Sequence, residues 1–171
     1  DALSTALGID SPTQEYTIYP VTHSFQGTLT SKSGYDKGMD TIELYIPQNV
    51  NTDCVVNFVD EGKRTASMYE SAALENKDKY EVFFGGNHSR VDISTPMEGK
   101  KNLLLFKDSY ANCFIPFLVP YYRNIIVIDP RYYYDNIESL ITDNEITDIL
   151  FLYNVNTFMG DTSLGDVLAA E

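Results

Sequence analysis

The sequence predicts a three-layer α/β/α domain on a mainly parallel sheet. Two runs carry that expectation, residues 102–106 and 124–128. They hold Leu103, Leu104, Leu105 and Phe106, and Ile125, Ile126, Val127 and Ile128. Strands apolar on both faces fit a sheet covered on both sides. Residues 102–156 also read strand–helix–strand–helix–strand, an alternation that requires parallel strands with right-handed crossovers.

The elements follow in order. Residues 1–15 are small and polar and read as a helix remnant with a linker. Residues 16–22 read as a short strand interrupted by Pro20, and residues 28–34 as a Ser/Gly/Lys-rich loop. Residues 41–46 alternate Ile42, Leu44 and Ile46 with polar neighbours, the pattern of a half-buried strand. Residues 54–59 form another apolar strand, closed by a turn at Asp60, Glu61 and Gly62. Residues 67–77 favour helix. Residues 80–84 read as a strand running into Gly85, Gly86, Asn87 and His88.

After the strand at 102–106, residues 109–121 place Tyr110, Cys113, Phe114, Phe117 and Leu118 on one helical face. Pro116 predicts a kink in that helix and Pro120 its end. A strand at 124–128, a helix at 136–142, a strand at 148–153 and a short helix at 161–168 complete the chain.

The 171 residues suffice for a single domain with a full core. A net charge of −13 disfavours nucleic acid as a partner. No run of about 18 apolar residues is present, so no transmembrane segment is expected. Cys54 and Cys113 lie in apolar stretches and read as buried thiols. No phosphate-binding loop, dinucleotide fingerprint, HExxH, EF-hand or CxxC is present, so neither cofactor nor metal is expected, and the absence of a GxSxG elbow disfavours the α/β-hydrolase type. The 13 tyrosines include Tyr132, Tyr133 and Tyr134, which would either cover a sheet edge or face a carbohydrate.

Parallel strands would bring four polar pairs to one edge: Asn87/His88, Asp108/Ser109, Asp129/Arg131 and Asn154/Asn156. Ligands bind at that edge of open α/β sheets. Ser109 follows a strand and opens a helix, so two readings compete. It is an ordinary cap, worth about 1 kcal/mol, or a nucleophile whose oxyanion meets the helix-start N–H groups. A nucleophilic serine needs a base, and His23 and His88 are the two histidines. His88 follows a flexible glycine pair and is the better candidate; the alternative is a surface bystander. Arg131 would clamp an anion or pair with Asp129 or Asp135. Asn154 and Asn156 would donate to a substrate or serve turn chemistry.

The run Lys107-Asp108-Ser109-Tyr110-Ala111-Asn112-Cys113-Phe114-Ile115-Pro116-Phe117 resembles the DHHW family of bacterial proteins. So do residues 126–133, the Phe83-Phe84-Gly85-Gly86-Asn87-His88 stretch, and Gly27 through Gly34 and Tyr35. That family is similar in turn to SGNH-like acyltransferases, including alginate O-acetyltransferases. The resemblance implies an SGNH-hydrolase-like, flavodoxin-like form of the architecture. It implies Ser109 as nucleophile with Asp108 and Tyr110 as its flanks, and Asn87 as oxyanion donor. The Asp-His-His-Trp motif is absent from these residues. The resemblance therefore implies a single domain over residues 1–171 that forms the carboxyl-terminal part of a longer, exported or cell-surface protein. The expected function is a serine esterase or O-acyltransferase domain acting on cell-surface glycan, incomplete in this fragment. The alternative is a non-catalytic module binding a glycan or a protein. A receiver-like domain with Asp108 as phosphoacceptor is a weaker option, since no acidic pair marks an earlier strand end.

Overall fold

The run with the strongest apolar signal, Leu103 to Phe106, lies on a strand of the main sheet that is paired on both sides. The structure is a computed structural model and describes residues 2–9, 14–34, 38–48, 53–99 and 101–169. Residues 10–13 of the segment expected as helix remnant and linker, and Tyr35 of the resembling stretch, lie outside the described residues. In chain order the elements are α1 (Ala2–Ala6), β1 (Tyr16–Phe25), α2 (Thr28–Ser33), β2 (Asp40–Pro47), β3 (Val55–Phe58), β4 (Lys63–Thr65), β5 (Arg90–Ser94), β6 (Lys101–Lys107), β7 (Tyr122–Ile128), α3 (Ile137–Asp143), β8 (Asp148–Leu152), α4 (Val155–Gly160) and α5 (Ser163–Ala169).

The chain divides into two units. The smaller comprises Pro12–Val50 and Met68–Gly86. Its β1 and β2 pair antiparallel, with irregularities after Pro20, which lacks the N–H a regular ladder needs. The stretch expected as a loop at 28–34 forms α2, closed by Gly34 at φ 69°, a conformation glycine adopts without strain. Residues 67–77 contain only a 3₁₀ helix, Ser71–Glu75, capped by Glu70. The strand expected at 80–84 is instead the 3₁₀ helix Lys79–Val82, followed by a single bridge from Phe83 to Tyr69.

The larger unit comprises Asp1–Ser11, Asn51–Ser67 and Asn87–Glu171 and holds a six-stranded sheet in the order β4-β3-β5-β7-β6-β8. This arrangement corrects the expected fold class. Parallel pairing is confined to β6 with β7 and β6 with β8. The pairs β3–β4, β3–β5 and β5–β7 are antiparallel. The sheet is therefore mixed, and the architecture is not a three-layer α/β/α on a mainly parallel sheet. β5 was hidden in sequence because its outward residues, Arg90 and Asp92, are charged and pair with each other at 2.7 Å. Its inward residues, Val91 and Ile93, are buried. β4 is three residues of charged and polar character, and it turns back from β3 through Asp60, Glu61 and Gly62.

The helical layers are also thinner than expected. α3 and α5 have seven residues each. Residues 109–121 form three separate 3₁₀ turns, Ser109–Ala111, Ile115–Phe117 and Val119–Tyr121. Pro116 and Pro120 remove the donors a continuous helix would need. The expected apolar helix face is accordingly broken. Leu118 is buried, but Tyr110 is 63% exposed and Cys113 is exposed, not a buried thiol. Cys54 is buried as expected.

Both faces of β6 and β7 are covered. One face carries Leu104, Phe106, Ile126 and Ile128 into a core with Tyr133, Ile137, Leu140 and Val167. Leu103, Leu105, Ile125 and Val127, the alternate residues, are buried as well. Leu104 lies on a strand paired on both sides and has no exposed surface. Leu104→Ala is expected to lower unfolding free energy by about 2–5 kcal/mol. Chemical denaturation measures this, and a loss below about 1 kcal/mol would contradict the full burial of Leu104 between β7 and β8.

Candidate active site

Strand register assembles the polar cluster. Phe106 of β6 sits opposite Ile128 of β7 in a parallel ladder. The next residues, Lys107 and Asp129, therefore stand side by side at the carboxyl ends of two neighbouring strands. β5 runs the other way, with Arg90 opposite Ile128. Its entry segment thus lies beside the end of β7, and Asp129 N–H donates to the Ser89 carbonyl at 3.1 Å. Asn87 reaches the strand ends by leading into an antiparallel strand, not by ending a parallel one. Gly86, immediately before it, has φ 123°, which side chains rarely allow.

Asp129 has no exposed surface. Its carboxylate accepts from Arg131 Nε at 2.8 Å and Nη2 at 2.6 Å, and from Lys107 Nζ at 3.4 Å. Lys107 is itself buried. Burial pushes its amine below the ordinary lysine range, against the opposing pull of Asp129. Hydrogen bonds to Asp129 push Arg131 upward, so it is a permanent cation.

The same Lys107 Nζ donates to Asn87 Oδ1 at 3.3 Å, and Asn112 Nδ2 donates to that oxygen at 3.3 Å. These two donors lie two residues before and three residues after Ser109. Asn87 is thereby fastened to the turn that carries Ser109.

Asp108 is buried and holds that turn from the other side. Its Oδ1 accepts from Tyr110 N–H at 3.0 Å and its Oδ2 from Asn154 N–H at 3.2 Å. The carboxylate is therefore a brace joining the end of β6 to the end of β8. The Ala111 and Asn112 N–H groups donate to the Asp108 and Ser109 carbonyls at 3.2 Å each. With Tyr110 N–H also engaged, these three amides are occupied within the turn. These three N–H groups are therefore not left to donate to an oxyanion, as a helix start would have allowed.

The structure thus brings together Asn87, Asp108, Ser109 and Arg131, with the Asn154 backbone. Ser109 opens its 3₁₀ turn and is half-buried, whereas Tyr110 points outward. Arg131 directs its Nε and Nη2 to Asp129 and lies over the Tyr132 ring at 5.3 Å. The Asn154 side chain caps α4 by accepting from Asn156 N–H at 2.9 Å, and Asn156 is exposed. His88 packs on Phe58 with ring centroids 4.6 Å apart, and its Nδ1 lies 3.2 Å from a Glu61 carboxylate oxygen. His23 lies in the smaller unit, with Nδ1 3.0 Å from Thr41 Oγ1. The local sequence of Lys107 and Asn112 does not mark them as site residues. The one signal available was position: both flank Ser109 and both turn out to be buried polar residues.

Among the described residues, no group of three His, Cys, Asp or Glu side chains is placed to hold a metal ion. No helix among them is long and apolar enough to cross a membrane.

A seryl turn at a parallel strand end, braced by a buried carboxylate and joined to a fixed amide, defines a strand-end site on a mixed α/β sheet. The chain belongs to the DHHW family, whose model, described as DHHW protein, matches residues 6–128. A DHHW family protein from Eubacterium siraeum superposes with a TM-score of 0.82 at 24% identity, over 99% of this chain and 59% of that one. PatB1 from Bacillus cereus carrying a sulfonyl adduct gives 0.71 at 19% identity, over 94% of this chain and 56% of that one. A second structure of PatB1 gives 0.63 at 17% identity, over 88% and 52%. These likenesses establish the shared fold, and the chain spans a little over half the length of each structure. No curated protein matches the chain.

Asp129→Asn is expected to cost about 3–5 kcal/mol of stability, because it leaves two cations beside a neutral amide. Asp148→Asn breaks a pair with Lys101, whose side chain is 49% exposed, and is expected to cost no more than about 1 kcal/mol. Denaturation of the two variants in parallel checks the contrast, and equal losses would contradict it.

Proposed function

We propose that this chain carries the nucleophile and oxyanion donor of an SGNH-like serine esterase or O-acyltransferase that acts on an acyl ester of a cell-surface glycan. The observation that carries this reading is the clamp on Asn87. Its carbonyl oxygen is held by Lys107 and Asn112, the donors flanking Ser109. The amide nitrogen is then the side left to donate, which is what a developing oxyanion requires. PatB1 supports the reading from outside, because a sulfonyl adduct is the product of a nucleophile captured by a sulfonylating group.

In this reading the Ser109 hydroxyl oxygen attacks the ester carbonyl carbon and its proton passes to a base. The carbonyl oxygen becomes an oxyanion that accepts from Asn87 Nδ2. Collapse expels the alcohol, which takes a proton from the conjugate acid of the base, and leaves an acyl-Ser109. Water or a glycan hydroxyl then attacks the acyl carbon and restores the serine. Asp108 is not the base, since Tyr110 and Asn154 N–H groups hold its two oxygens and keep it an acceptor. An imidazole must supply that role. His88 is the candidate next to Asn87, with Glu61 facing Nδ1 as an orienting carboxylate. The family resemblance offers the other source, an upstream Asp and His outside these residues.

A binding module without chemistry is the second reading. It draws on the exposure of Tyr132 and Tyr134, 49% and 84%, beside a buried Tyr133.

Hydrolysis of 4-nitrophenyl acetate by the protein encoded in full separates the two. Ser109→Ala is expected to lower kcat by at least about 1,000-fold. Equal rates for the variant and the parent would remove the nucleophile assignment and leave the binding reading.

A further inference from the structure

Asn87 is an exposed side chain with a demanding task. Its amide presents either a donor or an acceptor, depending on a 180° rotation of its terminal torsion. A flipped amide would set a carbonyl oxygen against the developing negative charge and oppose the reaction. Solvent exposure provides no packing to forbid the flip. Something else must choose the orientation.

Lysine donates and asparagine's nitrogen donates, so the group they share must be an acceptor. Nζ of Lys107 and Nδ2 of Asn112 both lie 3.3 Å from Asn87 Oδ1. Lys107 is the holder tied to an ion pair. It projects from the end of β6, its side chain is 4% exposed, and its ammonium faces Asp129, whose side chain is fully buried. Asp129 is held in turn by two nitrogens of Arg131. The chain of contacts runs from a fixed strand end, through a buried ion pair, to one exposed amide.

We propose that Lys107 is a positioning residue that acts through Asn87, fixing the amide so that Nδ2 is the group presented to the oxyanion. This inference rests on the reading of Ser109 and Asn87 given above. Lys107 touches no reacting atom. Its effect is confined to the transition state, so it changes kcat and leaves KM in place. Removing it does not strip Asp129 of partners, because Arg131 remains at 2.6 and 2.8 Å.

The test is a double-mutant cycle in the protein encoded in full, with 4-nitrophenyl acetate as probe. Lys107→Met is expected to lower kcat by about 10- to 100-fold with KM unchanged. Asn87→Ala is expected to lower kcat by about 100- to 1,000-fold. The double variant should fall no further than Asn87→Ala, because the lysine has nothing left to position. Losses that multiply, or a Lys107→Met kcat equal to the parent's, would overturn the proposal. Should Lys107→Met fail to fold, Asn112→Ala replaces it in the same cycle with the same expectation, as it removes the other donor to Oδ1.

A second readout does not depend on turnover. The side-chain amide of Asn87, followed by ¹⁵N NMR, should be rigid in the parent and in Ser109→Ala, and mobile in Lys107→Met. An amide equally mobile in parent and Lys107→Met would also overturn the positioning role. Ser109→Ala serves as the separate control. If it retains the parent's kcat, the catalytic reading has failed; if it loses activity while the cycle is additive, only the lysine proposal has failed.

Discussion

Asp129 lies at the point where three strands meet, and its carboxylate has no contact with solvent. A buried carboxylate is costly unless it is paired and hydrogen-bonded. Here Arg131 binds it through two nitrogens, and Lys107 approaches from the neighbouring strand. The pairing follows from register, since Phe106 and Ile128 are partners and the residues after them must be neighbours. Once Lys107 is held, Asn87 and the turn bearing Ser109 acquire fixed positions. A single buried charge thus links the sheet to the arrangement of the candidate site.

The parts of the fold legible in sequence are those with an unambiguous apolar pattern. β6 and β7 are apolar on both faces and lie close to where their composition places them. α3 and β8 are recognisable by the same means. The sheet's direction was not legible. β5 is half charged, and its Arg90–Asp92 pair lies on the strand itself, so the segment lacks an apolar run. Without β5 the strands read as a repeat of parallel units. The prolines at 116 and 120 were visible, but their effect is larger than a kink: three 3₁₀ turns replace one helix.

The candidate site was legible in part, and partly through a different route. Asn87 was expected at the end of a parallel strand. It arrives instead at the start of an antiparallel one, which delivers it to the same edge. The capping reading of Ser109 is corrected, because the residue that caps the turn is its neighbour. Asp108 is the cap, with both carboxylate oxygens engaged, and this leaves Ser109 as the hydroxyl at the opening of the turn. The role of Lys107 is not written in its local sequence. It depends on partners 20 and 22 positions away, which only strand pairing brings near.

In the proposed function Ser109 is the nucleophile that the Asn87 amide serves. The most direct measurement is to treat the protein encoded in full with an aryl sulfonyl fluoride and locate the adduct by peptide mass spectrometry. One adduct is expected, on Ser109, with loss of ester hydrolysis in proportion to its formation. An adduct on another residue that abolishes hydrolysis, with Ser109 unmodified, would contradict it.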